Sequence, residues 1–250
     1  MASGTHWEWR GFGTVSTRFV QAFESCPLQF PNGPPHDITT DEYIWAPGTR
    51  INVKLRSGGV QQGLKLKRPV RADGPLELWL EDPRELYPFD QMNAAVMDLL
   101  ARAIGVTLEP FRSGPFTRER VLDALKTSTP PCIVATIRKK RQARAFSPSV
   151  QMELAEIISV AFDAARATST GGAESRDGIE ASLPRPFFSV AVENSRDVGG
   201  RPPEEIAAAR REVESALAAL RVGDEALTPM NYLKAIEQWH NQARANARTS

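Results

Sequence analysis

The chain has 250 residues, 41% of them hydrophobic and 24% charged, so it is long enough to bury the core of one large domain or two small ones. Its 31 Lys and Arg residues almost balance its 30 Asp and Glu residues, and a net charge of +1 argues against a global attraction to nucleic acid or membranes. Only two cysteines, no basic-then-apolar leader and no apolar run of about 18 residues predict a cytoplasmic protein without a disulfide framework or a membrane span.

Short runs that alternate apolar and polar residues predict β-strands along most of the chain. In chain order these runs are HWEWR (6–10), DEYIWAPGTRINVKLR (41–56), GLKLK (63–67), ELWLE (77–81), CIVATIRKKR (132–141), QMELAE (151–156) and FSVAVEN (188–194). Turn residues separate several of them, most clearly Ser57-Gly58-Gly59. The pattern is typical of an antiparallel meander.

Helical spacing of apolar residues predicts four helices between and after the strands. The first covers 87–105 and ends at Gly105, and the second begins after Thr117 as its N-cap. A third covers 202–220 with Pro at its start, and a short fourth covers 228–243.

These elements predict a single domain over residues 1–250, with C-terminal helices within 202–245. The stretch 167–186 is polar and rich in small residues, which predicts a mobile insertion. The last residues, 244–250, are expected to be frayed.

Every predicted strand has one apolar face and one charged or polar face. The charged set is His6, Glu8, Arg10, Lys54, Arg56, Lys65, Lys67, Glu77, Glu81, Arg138, Lys140, Glu153 and Glu193. A flat antiparallel sheet on a layer of helices would show these charges to water, where cross-strand pairs contribute about 0.2–1 kcal/mol each. We favour an α+β fold in which about eight antiparallel strands close into a barrel, or tunnel, with helices packed on its apolar outside. Closure explains why so many strands carry charge on the same side.

The signs of these charges indicate what the lumen would bind. Cations on three strands suit several phosphate groups, because ammonium and guanidinium groups both donate to phosphate oxygens. Glutamates on other strands cannot bind phosphate directly, but their oxygens are ligands for Mg²⁺ or Mn²⁺, which bridge to phosphates. Buried charges in such numbers need compensation. The sequence therefore predicts a small polyphosphate held between a basic wall and a metal on an acidic wall.

The order of these motifs resembles the CYTH, or triphosphate tunnel metalloenzyme, superfamily. Its members begin with an E-x-E-x-K strand and continue with D-x-Y, K/R-x-R, L-x-x-K, basic and glutamate-bearing strands. The matching segments are HWEWR (6–10), DEYIWAPGTRINVKLR (41–56), GLKLK (63–67), ELWLE (77–81), IRKKR (137–141), MELAEI (152–157), SVAVEN (189–194) and MNYLKAI (230–236), the last where the family has a Tyr-containing segment. The resemblance spans nearly the whole chain, and it depends on the order of the motifs.

The resemblance implies an eight-stranded tunnel that hydrolyses or cyclises triphosphate compounds with Mg²⁺ or Mn²⁺. By position it makes Glu8, Glu153 and Glu193 metal ligands or their supports. Glu77 and Glu81 would orient basic groups or join the metal shell. The implied phosphate-binding residues are Arg10, Lys54, Arg56, Lys65, Lys67, Arg138 and Lys140. The implied reaction is in-line attack of water on a terminal phosphoryl group.

Two positions depart from the family pattern. The first strand reads His6-x-Glu8-x-Arg10, so its first carboxylate and its lysine are both replaced. The family lysine is thought to activate water, and an arginine with a pKa above about 12 is a poor base. Lys54 and His6 are the alternative bases, which makes Lys54, Arg10 and His6 the candidate catalytic residues. The last strand has Ala191-x-Glu193 where two glutamates are usual.

Several functions stay open at this point. The first is a phosphohydrolase of inorganic tripolyphosphate, nucleoside triphosphate or thiamine triphosphate, with an adenylate-cyclase-like enzyme as a variant. The second is a non-catalytic module that binds nucleotide or polyphosphate, and the third is an interaction domain with a solvated sheet. His6 is either a lumen residue or an ordinary edge-strand histidine. Neither a membrane nor nucleic acid is an expected partner, and the oligomeric state, a homodimer included, is not set by the sequence.

Overall fold

A computed structural model describes residues 4–29, 36–46, 48–57, 63–81, 94–107, 117–130, 132–163 and 179–249. The strands in these ranges are β1 (Thr5–Thr14), β2 (Asp37–Trp45), β3 (Asn52–Ser57), β4 (Gly63–Asp73), β5 (Leu76–Glu81), β6 (Ile133–Ser147), β7 (Val150–Asp163), β8 (Ile179–Glu180), β9 (Phe188–Asn194) and β10 (Ala226–Pro229). The helices are α1 (Thr17–Glu24), α2 (Ala94–Ile104), α3 (Arg118–Lys126), α4 (Pro203–Ala219) and α5 (Tyr232–Thr249).

Eight strands close into an antiparallel barrel in the order β1-β5-β4-β3-β2-β6-β7-β9, and β9 pairs with β1 to complete the ring. Strand β10 continues the edge of β1 beyond β5, and β8 pairs with the far end of β7. The predicted α+β class and the closed barrel of about eight strands are therefore confirmed.

Four helices cover the apolar outside of the barrel in two clusters. In the first cluster, α2 and α3 pack on the outer faces of β3 and β4, where Val53, Leu55 and Leu64 are fully buried. In the second, α1 and α4 pack on β1, β5, β7 and β9 around Trp7, whose indole Nε1 donates to the carbonyl of Ile206 at 3.0 Å. Burying one such aliphatic side chain contributes about 1.5–3 kcal/mol, so the apolar faces hold the helices against the barrel.

The inside of the barrel is charged at one end and apolar at the other. Successive inward positions change from Arg10 to Phe12 along β1 and from Lys139 to Ile137 along β6, because alternate residues of a strand point to the same face. Helix α5 packs on the apolar end, in a cluster formed by Phe12, Tyr43, Trp45, Ala135, Ile137, Ile157, Val160, Phe162, Tyr232, Leu233, Ala235, Ile236, Trp239 and Ala243. The charged interior is thus confined to the opposite end.

The predicted ends of α2, α3 and α4 that the structure describes agree with it, but the last helix begins at Tyr232 and not at 228, because Ala226–Pro229 form β10. Thr117 caps α3 by accepting from the backbone N–H of Arg120 at 3.3 Å, and Gly105, with φ 78°, follows the last residue of α2. Helix α5 runs to Thr249, so the prediction of a frayed end at 244–250 is wrong for the described part. The buried Ala243 anchors the helix near its end. Helix α1, which begins after its N-cap Ser16, was not predicted.

Three sequence predictions fall partly outside the described residues, and one of them is the turn Ser57-Gly58-Gly59, whose two glycines lie there. Most of the insertion predicted at 167–186 lies there, although its end contributes β8 to the edge of β7. The first predicted helix, 87–105, is described from Ala94 onward. Within the described part of the chain, no helix is both long and apolar enough to cross a membrane.

Candidate active site

The charged end of the barrel encloses a cavity of about 560 Å³. Most of the predicted charged set lines it, namely His6, Glu8, Arg10, Lys54, Arg56, Lys65, Lys67, Glu81, Glu153 and Glu193. Among the described residues its lining carries seven Lys or Arg side chains against five Asp or Glu side chains. The cavity therefore concentrates positive charge in a chain whose net charge is only +1.

Strands β3 and β4 form a basic wall. Lys54 lies directly opposite Lys65 in their register, and Lys67 lies opposite Asn52. Like charges that face each other across a strand pair destabilise it. Two lysines held side by side at the cavity surface therefore indicate a site built for a polyanion.

Strands β1 and β9 form an acidic wall that also carries an imidazole. Glu8 lies directly opposite Glu193 in the register of these strands. One ligand atom from each of these carboxylates and one from His6 all lie within 4.8 Å of one another. Ligands on opposite sides of a divalent ion are about 4.2 Å apart, since each lies about 2.1 Å from it. These three residues therefore fit a divalent ion after a small adjustment.

Lys67 lies in the middle of the acidic wall. Its Nζ is 2.9 Å from Glu8 Oε2, 2.6 Å from Glu81 Oε1 and 3.6 Å from Glu193 Oε2. Burial, and to a smaller extent the positive charge of Lys67, lower the pKa of His6. Hydrogen bonds to Glu193 and Glu8 outweigh both effects, so the pKa of His6 lies above its ordinary value. Burial also disfavours the charged form of Glu193, but Lys67 and His6 together outweigh it and lower the pKa of Glu193 to about 2.

A second group of charges joins β1, β6 and β7. Arg10 Nε donates to Glu8 Oε1 at 2.8 Å, and Arg10 Nη1 donates to Ser189 Oγ at 2.8 Å and lies 3.5 Å from Glu153 Oε1. Arg141 Nε donates to the other oxygen of Glu153 at 2.6 Å. Burial opposes the charge of Arg10, but Glu8 and Glu153 outweigh it and hold its pKa well above the ordinary arginine value. Arg10 therefore bridges two carboxylates and does not accept a proton.

Asp41 on β2 contacts two cations of the basic wall and one cation of β6. It is fully buried and accepts two hydrogen bonds from Arg56, at 2.6 and 3.0 Å. The Nζ of Lys139 lies 3.1 Å from Asp41 Oδ2, and the Nζ of Lys54 lies 3.5 Å from the same oxygen. Burial disfavours the charged form of Asp41, but Lys54, Lys139 and Arg56 outweigh it and keep its pKa well below the ordinary value.

The pKa of Lys54 shifts in the opposite direction from those of Lys67 and Lys139, which are raised. Burial lowers the pKa of Lys54 well below that of an ordinary lysine, and Arg56 lowers it further, while Asp41 opposes the shift. Among the described residues, the one carboxylate within ion-pair distance of Lys54 is that of Asp41, at 3.5 Å. A buried lysine that loses its proton easily is suited to act as a general base.

Two tyrosines form the floor of the cavity where it meets the apolar end. The rings of Tyr43 and Tyr232 stack with their centres 4.7 Å apart, and the Tyr232 ring also faces Arg10 at 4.8 Å. Tyr232 Oη accepts from the Nζ of Lys139 at 3.3 Å. The Tyr43 hydroxyl is buried without a hydrogen-bond partner among the described residues. Since a buried hydroxyl without a partner is costly, this group is available to a ligand.

Two basic residues predicted to line the cavity lie outside the barrel, and one predicted glutamate points inward without lining the cavity. Arg138 and Lys140 are exposed on the outside of β6, whereas their neighbours Lys139 and Arg141 point inward. The reason is that the inward face of β6 continues as Ile137 at the apolar end, so its apolar residues do not mark the outside. Glu77 faces inward beside Glu8 but is bound by Asn231 Nδ2, at 2.9 Å, instead of lining the cavity.

The structure also adds residues that sequence reasoning missed. Asp41, Tyr43, Lys139 and Arg141 had no predicted role, although Asp41 and Tyr43 form the D-x-Y motif of the resemblance. That spacing places both side chains on one face of β2, and it was the available signal. For Lys139 and Arg141 the signal was the run of four basic residues, in which alternation alone does not identify the inward pair.

No protein-family model and no curated protein matches the sequence. Similar solved structures include a conserved hypothetical protein from Pyrococcus furiosus, with 15% identity and a TM-score of 0.45 over 91% of this chain and 98% of that one. A Pyrococcus horikoshii protein matches with 13% identity and a TM-score of 0.45 over 92% and 98%. A Hippeastrum protein described as a putative adenylyl cyclase with a dominant triphosphatase activity matches with 13% identity and a TM-score of 0.39 over 86% and 87%. The fold implied by the CYTH resemblance is confirmed by the closed barrel of this chain itself.

Proposed function

We propose that this protein is a metal-dependent phosphohydrolase that acts on a triphosphate-containing compound, such as inorganic tripolyphosphate, a nucleoside triphosphate or thiamine triphosphate. The observation that carries the proposal is the pairing, in one cavity, of a basic wall on β3 and β4 with an acidic wall on β1 and β9. A triphosphate needs both, because its oxygens bind cations and its bound divalent ion binds carboxylates.

The basic wall is proposed to bind the phosphate groups. Lys65 faces the cavity from the position directly opposite Lys54, so its ammonium group can donate to the phosphate that the water beside Lys54 would attack. Arg56 is fixed behind them by Asp41 and adds guanidinium donors of fixed direction. Arg141 takes the place proposed for Arg138 and Lys140, because it lines the cavity and they do not.

The acidic wall is proposed to hold Mg²⁺ or Mn²⁺ through Glu8 and Glu193, with Glu81 beside them. When bound, such an ion would neutralise charge that develops on the phosphate oxygens. Glu153 lies on the other side of Arg10 and is held by Arg141. We therefore assign Glu153 the task of positioning these two guanidinium groups rather than that of a primary metal ligand.

Lys54 is proposed to activate the attacking water. Its neutral amine would take a proton from water as the water oxygen bonds to the terminal phosphorus, and the bond from that phosphorus to the bridging oxygen breaks. The products are orthophosphate and the remaining diphosphate. Arg10 is unsuited to this step because two carboxylates and Ser189 hold it in its charged form.

A module that binds triphosphates without hydrolysing them is the second candidate. The observation that favours it is Arg10 itself, which stands where the family has the lysine thought to activate water. The two candidates share the binding site and differ only in turnover.

Phosphate release from tripolyphosphate, ATP and thiamine triphosphate, with Mg²⁺ or Mn²⁺, tests the proposal. We expect release from at least one substrate, a fall of about 100- to 10,000-fold in kcat for Lys54→Met, and a higher KM with little change in kcat for Lys65→Met. Lys140→Met, which removes an exposed charge outside the barrel, is the matched control and should behave like the parent. Tight binding without release of phosphate, pyrophosphate or a cyclic product with either metal contradicts the hydrolase and leaves the binding module.

A further inference from the structure

We infer that His6 is a metal ligand and that it shifts the preference of the acidic wall from Mg²⁺ towards first-row transition ions such as Mn²⁺ and Co²⁺. The inference rests on the proposed function for the existence of a metal in this cavity, but it concerns which ion the residues of this chain select.

The imidazole of His6 lies close to three carboxylates. Its Nε2 atom is 3.4 Å from Glu193 Oε2, 3.6 Å from Glu81 Oε1 and 3.9 Å from Glu8 Oε2. One ring nitrogen therefore points at all three carboxylates, which is the arrangement that a shared ion requires. The ring is nearly buried, with 11% of its side chain exposed, so water does not compete freely for that nitrogen.

The possible metal ligands are one imidazole nitrogen, from His6, and carboxylate oxygens from Glu8 and Glu193. Mg²⁺ is a hard ion that takes oxygen ligands and gives them up reluctantly, whereas imidazole nitrogen suits transition metals. A site with two carboxylates and one imidazole is therefore less favourable for Mg²⁺ than one with three carboxylates.

The ammonium group of Lys67 already occupies the space between these possible metal ligands. Lys67 Nζ lies 3.2 Å from His6 Nε2 as well as within 2.9 Å of Glu8 and Glu81. A positive charge is thus stable at this point, and an incoming divalent ion must displace the ammonium group. The lysine weakens the binding of every ion, but it gives no preference between Mg²⁺ and a transition ion. Selectivity comes from His6 and absolute affinity is limited by Lys67.

Calorimetric titration of the free protein with Mg²⁺, Mn²⁺ and Co²⁺, in the absence of any triphosphate, tests this inference. We expect affinity to increase in that order, and we expect His6→Glu to reduce the ratio of Co²⁺ to Mg²⁺ affinity at least tenfold. Lys67→Met should tighten the binding of all three ions and keep their order. His36→Gln, at an exposed position outside the cavity, is the matched control.

A spectroscopic measurement separates ligation from a structural effect of the variants. Pulsed electron paramagnetic resonance of the protein with Mn²⁺ should show coupling to one imidazole nitrogen, and His6→Gln should abolish that coupling. Absence of Mn²⁺ binding, absence of nitrogen coupling in the parent, or an unchanged ion preference in His6→Glu would each overturn the inference. Hydrolysis with Mg²⁺ and no nitrogen coupling would overturn it while leaving the proposed function intact. Nitrogen coupling without turnover of any triphosphate would support His6 as a metal ligand and contradict the proposed hydrolase function.

Discussion

Asp41 is the residue on which the basic wall depends. Its carboxylate is fully buried and contacts Arg56, Lys139 and Lys54, so one negative charge compensates three positive ones in the absence of ligand. Removing one partner of a buried ion pair leaves the other charges without compensation, and that is more destabilising than losing an exposed pair.

We expect Asp41→Asn to lower the free energy of unfolding by about 3–5 kcal/mol, as measured by urea denaturation at neutral pH. The matched control is Asp73→Asn, whose partner Arg210 lies 2.9 Å away at the surface, with 47% of the Asp73 side chain exposed. Loss of an exposed pair of this kind should cost about 0–1 kcal/mol. Equal effects of the two substitutions would show that Asp41 does not have the role assigned to it.

Lys54 gives the proposed reaction a pH dependence of definite sign. Burial and Arg56 lower its pKa, so its neutral, proton-accepting form is reached at a pH below the ordinary lysine value of about 10.4. We therefore expect kcat/KM to rise with pH as Lys54 loses its proton, with the midpoint of that rise below the ordinary lysine range. Lys54→Met should remove the rise, and Lys65→Met should keep it. A profile of the parent that is flat or falls with pH over this range argues against Lys54 as the base.

At the scale of elements, the pairing of β3 with β4 sets two lysines against each other. Lys65 also contacts Glu81 at 2.9 Å, but Glu81 retains Lys67 when Lys65 is removed. We expect Lys65→Met to keep or increase the free energy of unfolding of the free protein, by up to about 1 kcal/mol. The same substitution should raise the Kd for tripolyphosphate about tenfold in calorimetric titration, at the strength of a charge-assisted hydrogen bond.

Lys140→Met, on the outer face of β6, should change neither the stability nor the Kd of the protein. A loss of stability in Lys65→Met together with an unchanged Kd would mean that Lys65 serves folding and not binding.

The sequence predicts the inward face correctly where a strand has one apolar and one charged face. Strand β4 is the clear example, with Leu64 and Leu66 under α2 and α3 and Lys65 in the cavity. Strand β6 does not follow that rule, because Ile137 points inward and packs with α5. Helix α5, which covers this apolar face, lies about 90 residues later in the chain, so the local sequence of β6 does not indicate that Ile137 points inward.

The role of Asp41 on β2 could not be predicted from the sequence for a related reason. Its inward face carries Asp41 and Tyr43, and its outward face carries Glu42 and Ile44, so each face has one acid and one apolar or aromatic residue. Composition cannot distinguish two such faces. The contacts of Asp41 come from β3 and β6, and they are visible only once the barrel is closed.

At the scale of the whole molecule, closure of the barrel separates two kinds of interior. The end covered by α5 is apolar, and the other end encloses about 560 Å³ lined by charges that are already paired with one another. A triphosphate and its metal would exchange these internal pairs for ligand contacts, so binding does not require burial of new protein charge. The predicted fold and the predicted ligand class both follow from the same alternation of residues along the strands.

A ³¹P NMR time course of tripolyphosphate with the purified protein and Mg²⁺ tests the proposed activity directly, because one spectrum reports both binding and hydrolysis. We expect the signals of the terminal and middle phosphates to decrease while those of orthophosphate and pyrophosphate grow, with the pyrophosphate signal about twice as intense because equimolar products carry one and two phosphorus atoms. Glu8→Gln, which weakens the proposed metal site and frees Arg10 and Lys67 from one carboxylate, should greatly slow that change. Substrate signals that shift or broaden on addition of protein but persist would contradict hydrolysis of tripolyphosphate with Mg²⁺, and signals that stay unchanged would contradict binding of tripolyphosphate in the cavity.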